Sequence, residues 1–348
     1  MIQLGTKALS LPFIQGGMGI GISLGGLAGA VAAQGAMGVV SAANPGYREP
    51  DFWQSASTAN QRALTAEIKK AKQLARGAGL VGVNIMVATT GYADTVQTAV
   101  DAGADAIISG AGLPLELPAI AEKHDVLLAP VISSARAAAV LCRSWKQRYC
   151  RLPDFLVLEG ASAGGHLGFS MTELISGAAK SLFVLLSEVL QVVREFGNIP
   201  VFVAGGVAEN EICSLIAQGA AGVQLATPFL TTNECDASAE YKKIFSRAIS
   251  ADVCLVHSPV GMPARALRSP LVARLAQGER FAPIRCAGCL VPCRPAQTPY
   301  CITRALIEAA KGNWDEGLFF CGANVGQYQS IVPVKQRIDE ILQAWRNL

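Results

Sequence analysis

Phe155-Leu-Val-Leu-Glu-Gly-Ala-Ser-Ala-Gly-Gly-His166-Leu-Gly168 decides how this chain is read. An apolar run this short, ending on Glu159, fits a strand buried on both faces. The loop that follows, residues 160–165, carries almost no side-chain bulk, so a ligand can approach its backbone closely. His166 is the titrating group held at that loop, and an imidazole is suited to proton transfer near neutral pH. The plainer alternative is a glycine-rich turn whose histidine satisfies a carbonyl.

Outward from this stretch, buried runs alternate with helical patterns. Strands are expected at residues 13–18, 37–42, 80–86, 106–109, 127–133, 155–159, 200–206 and 222–227. Helices are expected between them at 25–34, 58–76, 92–102, 134–148, 178–196 and 209–218, with a further one before His124. Such an alternation is what a (β/α)8 TIM barrel requires, and a doubly wound open sheet is the rival with the same rhythm. The strand count and the placement of the glycine loops favour the barrel. Beyond Phe229 the rhythm breaks into a charged helix at 241–248, a strand-like run at 253–257 and a Pro/Arg-rich stretch. The expected organisation is a barrel over residues 1–230 and 300–348, with a small cap inserted after the eighth strand over 231–299. Final helices are expected at 303–311 and 334–346.

Composition bounds the function. With 348 residues, 51% hydrophobic and 16% charged, the chain has enough apolar material for a large buried core. A net charge of +3 without a long Lys/Arg run argues against a nucleic-acid partner. No charged residue falls between Lys7 and Arg48, but Pro12, Gln15, Gln34, Asn44, Pro45 and ten glycines interrupt that segment. No continuous apolar stretch of ~20 residues survives, so a membrane helix is not expected. Ten cysteines without a secretory start read as reduced thiols or metal ligands, and the expected location is cytoplasmic.

Barrel active sites lie at the carboxyl ends of the strands. The Ala204-Gly-Gly-Val-Ala-Glu209 run opens toward a helix, so backbone N–H groups and a positive helix end would converge there, with Thr227 adding a hydroxyl. That is the phosphate position of a barrel. Asn84 and Gln224 are amides within apolar strands, and an unpaired buried amide costs on the order of 1–3 kcal/mol, so each needs a partner. Either a neighbouring backbone group or the edge of a heterocycle would serve. A phosphate site, edge-reading amides and small-residue loops together match flavin mononucleotide, FMN.

Gln15-Gly-Gly-Met-Gly19, Gly82-Val-Asn-Ile-Met86, Glu159-Gly with Ala163-Gly-Gly-His-Leu-Gly168, Ala204-Gly-Gly206 and Gly222-Val-Gln-Leu-Ala-Thr-Pro-Phe229 resemble the motifs of the nitronate monooxygenase (2-nitropropane dioxygenase) family. That family also contains the flavin-dependent type II enoyl-ACP reductases. Gly261-Met-Pro-Ala-Arg-Ala-Leu-Arg268 is similar to the segment after the family's small second domain. The resemblance implies flavin contacts at Gly17, Met18, Asn84, Glu159, Gly165, Gly205, Gly206, Gln224 and Thr227. It places His166 over the reactive face of the ring. It further implies an oxidoreductase of small molecules, oxidising alkyl nitronates or nitroalkanes with oxygen. The alternative is reduction of an enoyl thioester at the expense of NAD(P)H. A barrel binding a phosphorylated ligand without redox work is the hypothesis from another class.

The spacing Cys286-x2-Cys289-x3-Cys293, followed by Cys301, is not among those family motifs. It resembles the cluster motif of flavin barrels of the 2,4-dienoyl-CoA reductase kind, with a shorter last interval. Four such thiols could hold an iron–sulfur cluster or zinc; the alternative is ordinary reduced cysteines.

Overall fold

The computed structural model describes residues 1–346. Eight short parallel strands close into a barrel: β3 (Phe13–Gln15), β4 (Met37–Ser41), β5 (Leu80–Met86), β6 (Ala106–Gly110), β7 (Leu127–Ile132), β8 (Leu156–Glu159), β10 (Val201–Ala204) and β11 (Gly222–Leu225). Each pairs with its sequence neighbours, and β11 returns to β3 to close the ring. Alternate residues of each strand serve two cores, as the period of two demands. Val39, Ile108, Val157 and Phe202 point into the barrel with Phe155 and Leu127. Val40, Ile107, Leu156, Leu158, Val201 and Val203 point outward against the helices. A hairpin of β1 (Ile2–Leu4) and β2 (Lys7–Leu9) sends Leu4 and Leu9 into the interior cluster and plugs one end of the barrel.

The outer ring is formed by α1 (Gly25–Ala32), α2 (Ala56–Ala75), α3 (Tyr92–Asp101), α4 (Leu117–Ile120), α5 (Ala135–Tyr149), α7 (Leu182–Arg194), α8 (Ile212–Gln218) and α12 (Val334–Arg346). The helix expected at 178–196 is α7, and a short helix not expected from the sequence precedes it. A capping box of Ser170 and Glu173 opens α6 (Met171–Ser176), which Gly177 ends at φ +69°. Ser181 then caps α7 by accepting the Val184 N–H. Among the described residues no helix is long and apolar enough to cross a membrane.

After β11 the chain builds α9 (Ala239–Arg247) and an antiparallel hairpin of β12 (Val253–His257) and β13 (Pro263–Leu267). It continues through α10 (Pro270–Ala276) and α11 (Ile302–Ala310) before α12 rejoins the ring. A two-residue strand, β9 (Gly165–His166), leaves the β8 loop and adds to β13. The tie between barrel and hairpin therefore runs through the histidine itself.

The expected metal centre is not formed. Among the described residues no group of three or more His, Cys, Asp or Glu side chains is placed to hold a metal ion. Cys289 turns its Sγ to the Thr303 hydroxyl at 3.0 Å, and Cys286 Sγ accepts the Gly288 N–H at 3.3 Å. Cys301 stands at the start of α11, and Cys289 and Cys293 pack against the cluster around Leu290 and Tyr300. Burial, with the neighbouring thiols, raises the Cys289 pKa in the metal-free chain. All ten cysteines are free.

The contact of β4 with α1 has no slack, since a Cβ on Gly38 would collide with the Ala28 carbonyl and backbone. Gly38→Ala is expected to lower stability by about 1–3 kcal/mol or more, by forcing α1 off the barrel. A denaturant midpoint unchanged from the parent chain would contradict this packing.

Candidate functional site

At the carboxyl ends of the strands lies a cavity of about 260 Å³. All ten residues singled out above line it: Gly17, Met18, Asn84, Glu159, Gly165, His166, Gly205, Gly206, Gln224 and Thr227. Strand register explains the convergence. Ala204 of β10 lies level with Glu159 on β8 and with Gln224 on β11, so the carboxyl and the amide stand at one height on the two strands that flank β10. Gly17 presses on Asn84, whose Cβ a side chain at Gly17 would strike. The Asn84 amide has found a backbone partner, donating from Nδ2 to the Ile108 carbonyl at 3.3 Å. Gln224 has not, because its Oε1 is buried without a hydrogen-bond partner. Glu159 is enclosed so closely that burial alone pushes its carboxyl up to about 7.

The expected phosphate position is a turn with both glycines at positive φ, Gly205 at +88° and Gly206 at +84°. A Cβ at Gly205 would come within 2.7 Å of the Gly160 backbone, so the turn admits only glycine there. The helix start beyond it differs from expectation. A 3-10 turn, Glu209–Glu211, precedes the short α8, and the Glu211 carboxylate already accepts the Ala208 N–H at 3.2 Å. The groups this corner offers an anion are thus those of the glycine turn and Thr227, not a free helix end.

Several cavity residues escaped the sequence reading. Phe320, Cys321, Gly322, Asn324 and Tyr328 come from a segment with no periodicity, far beyond the last barrel strand. Hydrogen bonds fasten this segment over the site. Gly322 N–H donates to Thr227 Oγ1 at 3.2 Å, Ala323 N–H to the Ser162 carbonyl at 3.1 Å, and Asn324 Nδ2 to the Gly206 carbonyl at 3.0 Å. The Phe-Phe-Cys-Gly-Ala-Asn324 composition, small residues after two aromatics, was the one available signal.

His166 is held from three sides. It faces Ala264 in the β9–β13 pairing, its Nε2 lies 2.7 Å from Ser258 Oγ, and its ring meets Phe320 edge-on at 5.3 Å. Arg265, the next residue of β13, donates through Nη1 to the Ala161 carbonyl at 2.8 Å and to that of Ala163, which fixes the loop leading to the histidine. Burial lowers the imidazole pKa to about 4, so the ring is neutral across the physiological range. When the Ser258 hydroxyl accepts from Nε2, Nδ1 is bare and can take a proton; when it donates, Nδ1 carries a proton to give. The site therefore combines a neutral acid–base group, an anion-sized glycine turn and an amide acceptor in need of a donor.

Residues 3–344 match the model of the nitronate monooxygenase family. A probable nitronate monooxygenase of Staphylococcus saprophyticus is 28% identical over 188 residues, 53% of this chain and 50% of the relative. The (3aS,4S,5R,7aS)-5-hydroxy-7a-methyl-1-oxo-octahydro-1H-indene-4-carboxyl-CoA dehydrogenase of Mycobacterium tuberculosis is 28% identical over 271 residues, 77% of this chain and 66% of the relative. The match thus spans about half to two thirds of these relatives' lengths. The structure of FabK from Thermotoga maritima superposes with a TM-score of 0.75 at 26% identity, covering 97% of this chain and 94% of that one.

The lowered pKa of His166 has a measurable sign. Its folded value, about 4, lies below the ordinary 6.5, so the unfolded chain takes the proton first and stability falls as pH drops from 6.5 toward 4. NMR titration of the ligand-free protein should show the His166 imidazole neutral down to about pH 5. His166→Gln should flatten the acid side of the melting curve over that window. An imidazole titrating near 6.5 would contradict the enclosure described.

Proposed function

We propose that this chain, which belongs to the nitronate monooxygenase family, is an FMN-dependent oxidoreductase in which His166 moves the proton of the reacting carbon. The observation that carries the reading is the buried, unpartnered Gln224 Oε1. It lies in the wall of the same cavity that holds His166 and the Gly205-Gly206 turn. An acceptor enclosed without a donor costs about 1–3 kcal/mol, and an N–H on the edge of an isoalloxazine ring would remove that cost. Glu159, a carboxyl that stays protonated up to about pH 7, is a second group able to meet a ring edge. The glycine turn and Thr227 would take the phosphate; Gly17 and Met18 would lie along the ring. The residues present therefore fit FMN.

When bound, FMN supplies the two-electron redox chemistry, and the protein supplies position and proton transfer. With a neutral nitroalkane, the α C–H bond breaks, its proton passes to the free ring nitrogen of His166, and the electron pair stays on the substrate as a nitronate. An imidazole already neutral at pH 7 needs no prior deprotonation to do this. Met86, Ala42 and Leu306 in the cavity wall keep the reacting carbon in apolar surroundings.

A second reading, reduction of an enoyl thioester, has His166 giving its proton to the substrate instead. It is favoured by a further chamber on the far side of His166 and by the carboxyl-CoA dehydrogenase relative.

Anaerobic mixing with NADPH, then with propyl-2-nitronate or a crotonyl thioester, separates the two. Bleaching by NADPH followed by reoxidation with the thioester would replace the nitronate assignment. In either case His166→Ala should retain flavin and lose about 10²–10⁴-fold in turnover of a neutral nitroalkane or an enoyl thioester. A preformed nitronate, which has no proton to lose, should be spared. Equal turnover of the neutral substrate by the variant would reduce His166 to a structural role.

A further inference from the structure

The cysteines of the 286–301 segment stand outside the cavity of the candidate site, and the chemistry proposed there does not use them. Cys286-Ala-Gly-Cys289 has the C-x-x-C spacing, at which two thiols can meet across a single turn. The backbone makes such a turn. Gly288 takes a φ of +59°, which glycine adopts at little cost, and the space beside its Cα is open. The Gly288 N–H reaches back to Cys286 Sγ at 3.3 Å, so this thiol lies folded over the turn, against the amide next to Cys289. Backbone bonds fix the far end of the turn to the loop after β5, from Thr90 N–H to the Cys289 carbonyl at 3.1 Å and from Val291 N–H to that of Ala88 at 3.0 Å.

The two thiols differ in access. Cys286 is exposed, whereas Cys289 is partly buried against the Leu290 and Tyr300 cluster with the Thr303 hydroxyl on its Sγ. Burial raises the Cys289 pKa, the Thr303 bond offsets part of the rise, and the charges of Cys301, Cys293 and Cys286 add to it. The four sulfurs therefore share one neighbourhood. A dissolved oxidant meets Cys286 first, and the thiol held beside it is Cys289. The other two belong to separate elements. Cys293 closes its own turn through its N–H on the Leu290 carbonyl at 3.4 Å, and Cys301 is the N-cap residue of α11.

We propose that Cys286 and Cys289 form a reversible dithiol–disulfide site that reacts with a peroxide. The Cys286 sulfur attacks one oxygen of hydrogen peroxide, the O–O bond breaks, and the other oxygen leaves as water with the thiol proton. Cys286 is then a sulfenic acid. The Cys289 sulfur displaces its hydroxyl, which leaves as a second water with the Cys289 proton, and the S–S bond forms. Two thiols give up two electrons and two protons, and one hydrogen peroxide becomes two waters. A dithiol reductant reverses the bond by exchange. No group of the cavity takes part, so the inference stands apart from the flavin reading.

The test takes the full chain, purified anaerobically and reduced, and exposes it to about one equivalent of hydrogen peroxide before alkylation. Fragmentation mass spectrometry of the 286–304 segment then locates the bond. The expected product lacks two hydrogens and links Cys286 to Cys289, with Cys293 and Cys301 alkylated. Cys150, exposed at the end of α5, is the internal reference and should oxidise about tenfold or more slowly than Cys286. Dithiothreitol should restore both thiols. In Cys289→Ser the Cys286 sulfenic acid should persist long enough for dimedone to trap it, and in Cys286→Ser the peroxide should leave Cys289 reduced. Oxidation of Cys286 no faster than that of Cys150 overturns the proposal. So does a bond made to Cys293 or Cys301 instead, or stoichiometric zinc or iron held by these thiols in the anaerobic protein. The parent chain alone decides between these outcomes, whether or not the variants fold.

Discussion

Two residues of strand pairing, Gly165 and His166 against Arg265 and Ala264, hold the arrangement together. Without that pairing the glycine loop after β8 would have little reason to adopt one conformation, because residues with almost no side chain lose the most freedom on ordering. The hairpin of β12 and β13 supplies the missing constraint three times over. It gives backbone bonds, the Ser258 hydroxyl on Nε2 and the Arg265 guanidinium on the loop carbonyls. A side chain held by a neighbouring sheet has the second layer of support that loop-borne groups otherwise lack.

Burial then sets the chemistry in opposite directions for two groups in one cavity. It favours the neutral form of each, lowering the imidazole to about 4 and raising the Glu159 carboxyl to about 7. At neutral pH the histidine is unprotonated, while the carboxyl still holds its proton in about half of the molecules. Titratable groups whose environments drive them apart in this way mark acid–base assignments. Among the described residues neither has a counter-ion to offset the effect, so both depend on the tightness of the cavity wall.

The barrel was legible because its strands are short apolar runs buried on both faces, a pattern that needs no long-range information. Asn84 on β5, Glu159 on β8 and Gln224 on β11 were legible for the same reason, since polar residues within or at the end of such apolar runs stand out. What lay hidden depends on contacts between distant segments. Ser258 is 92 residues from His166 and sits in a turn like any other. β9 is too short to show a period, and Pro263 and Arg265 disguise β13, whose Ala264, Ala266 and Leu267 are buried. The cysteine spacing was legible, but spacing does not determine where a thiol points. Cys289 is directed by Thr303 on α11, a partner that no interval between cysteines encodes.

The most direct measurement of the account is the flavin content of the purified protein, by absorbance and by mass of the molecule released on denaturation. The account predicts a yellow protein, as isolated or after reconstitution, that releases a single FMN per chain and no adenine dinucleotide. A folded, colourless protein that cannot take up FMN would contradict it, and would leave the Gly205-Gly206 turn as a site for some other phosphorylated ligand.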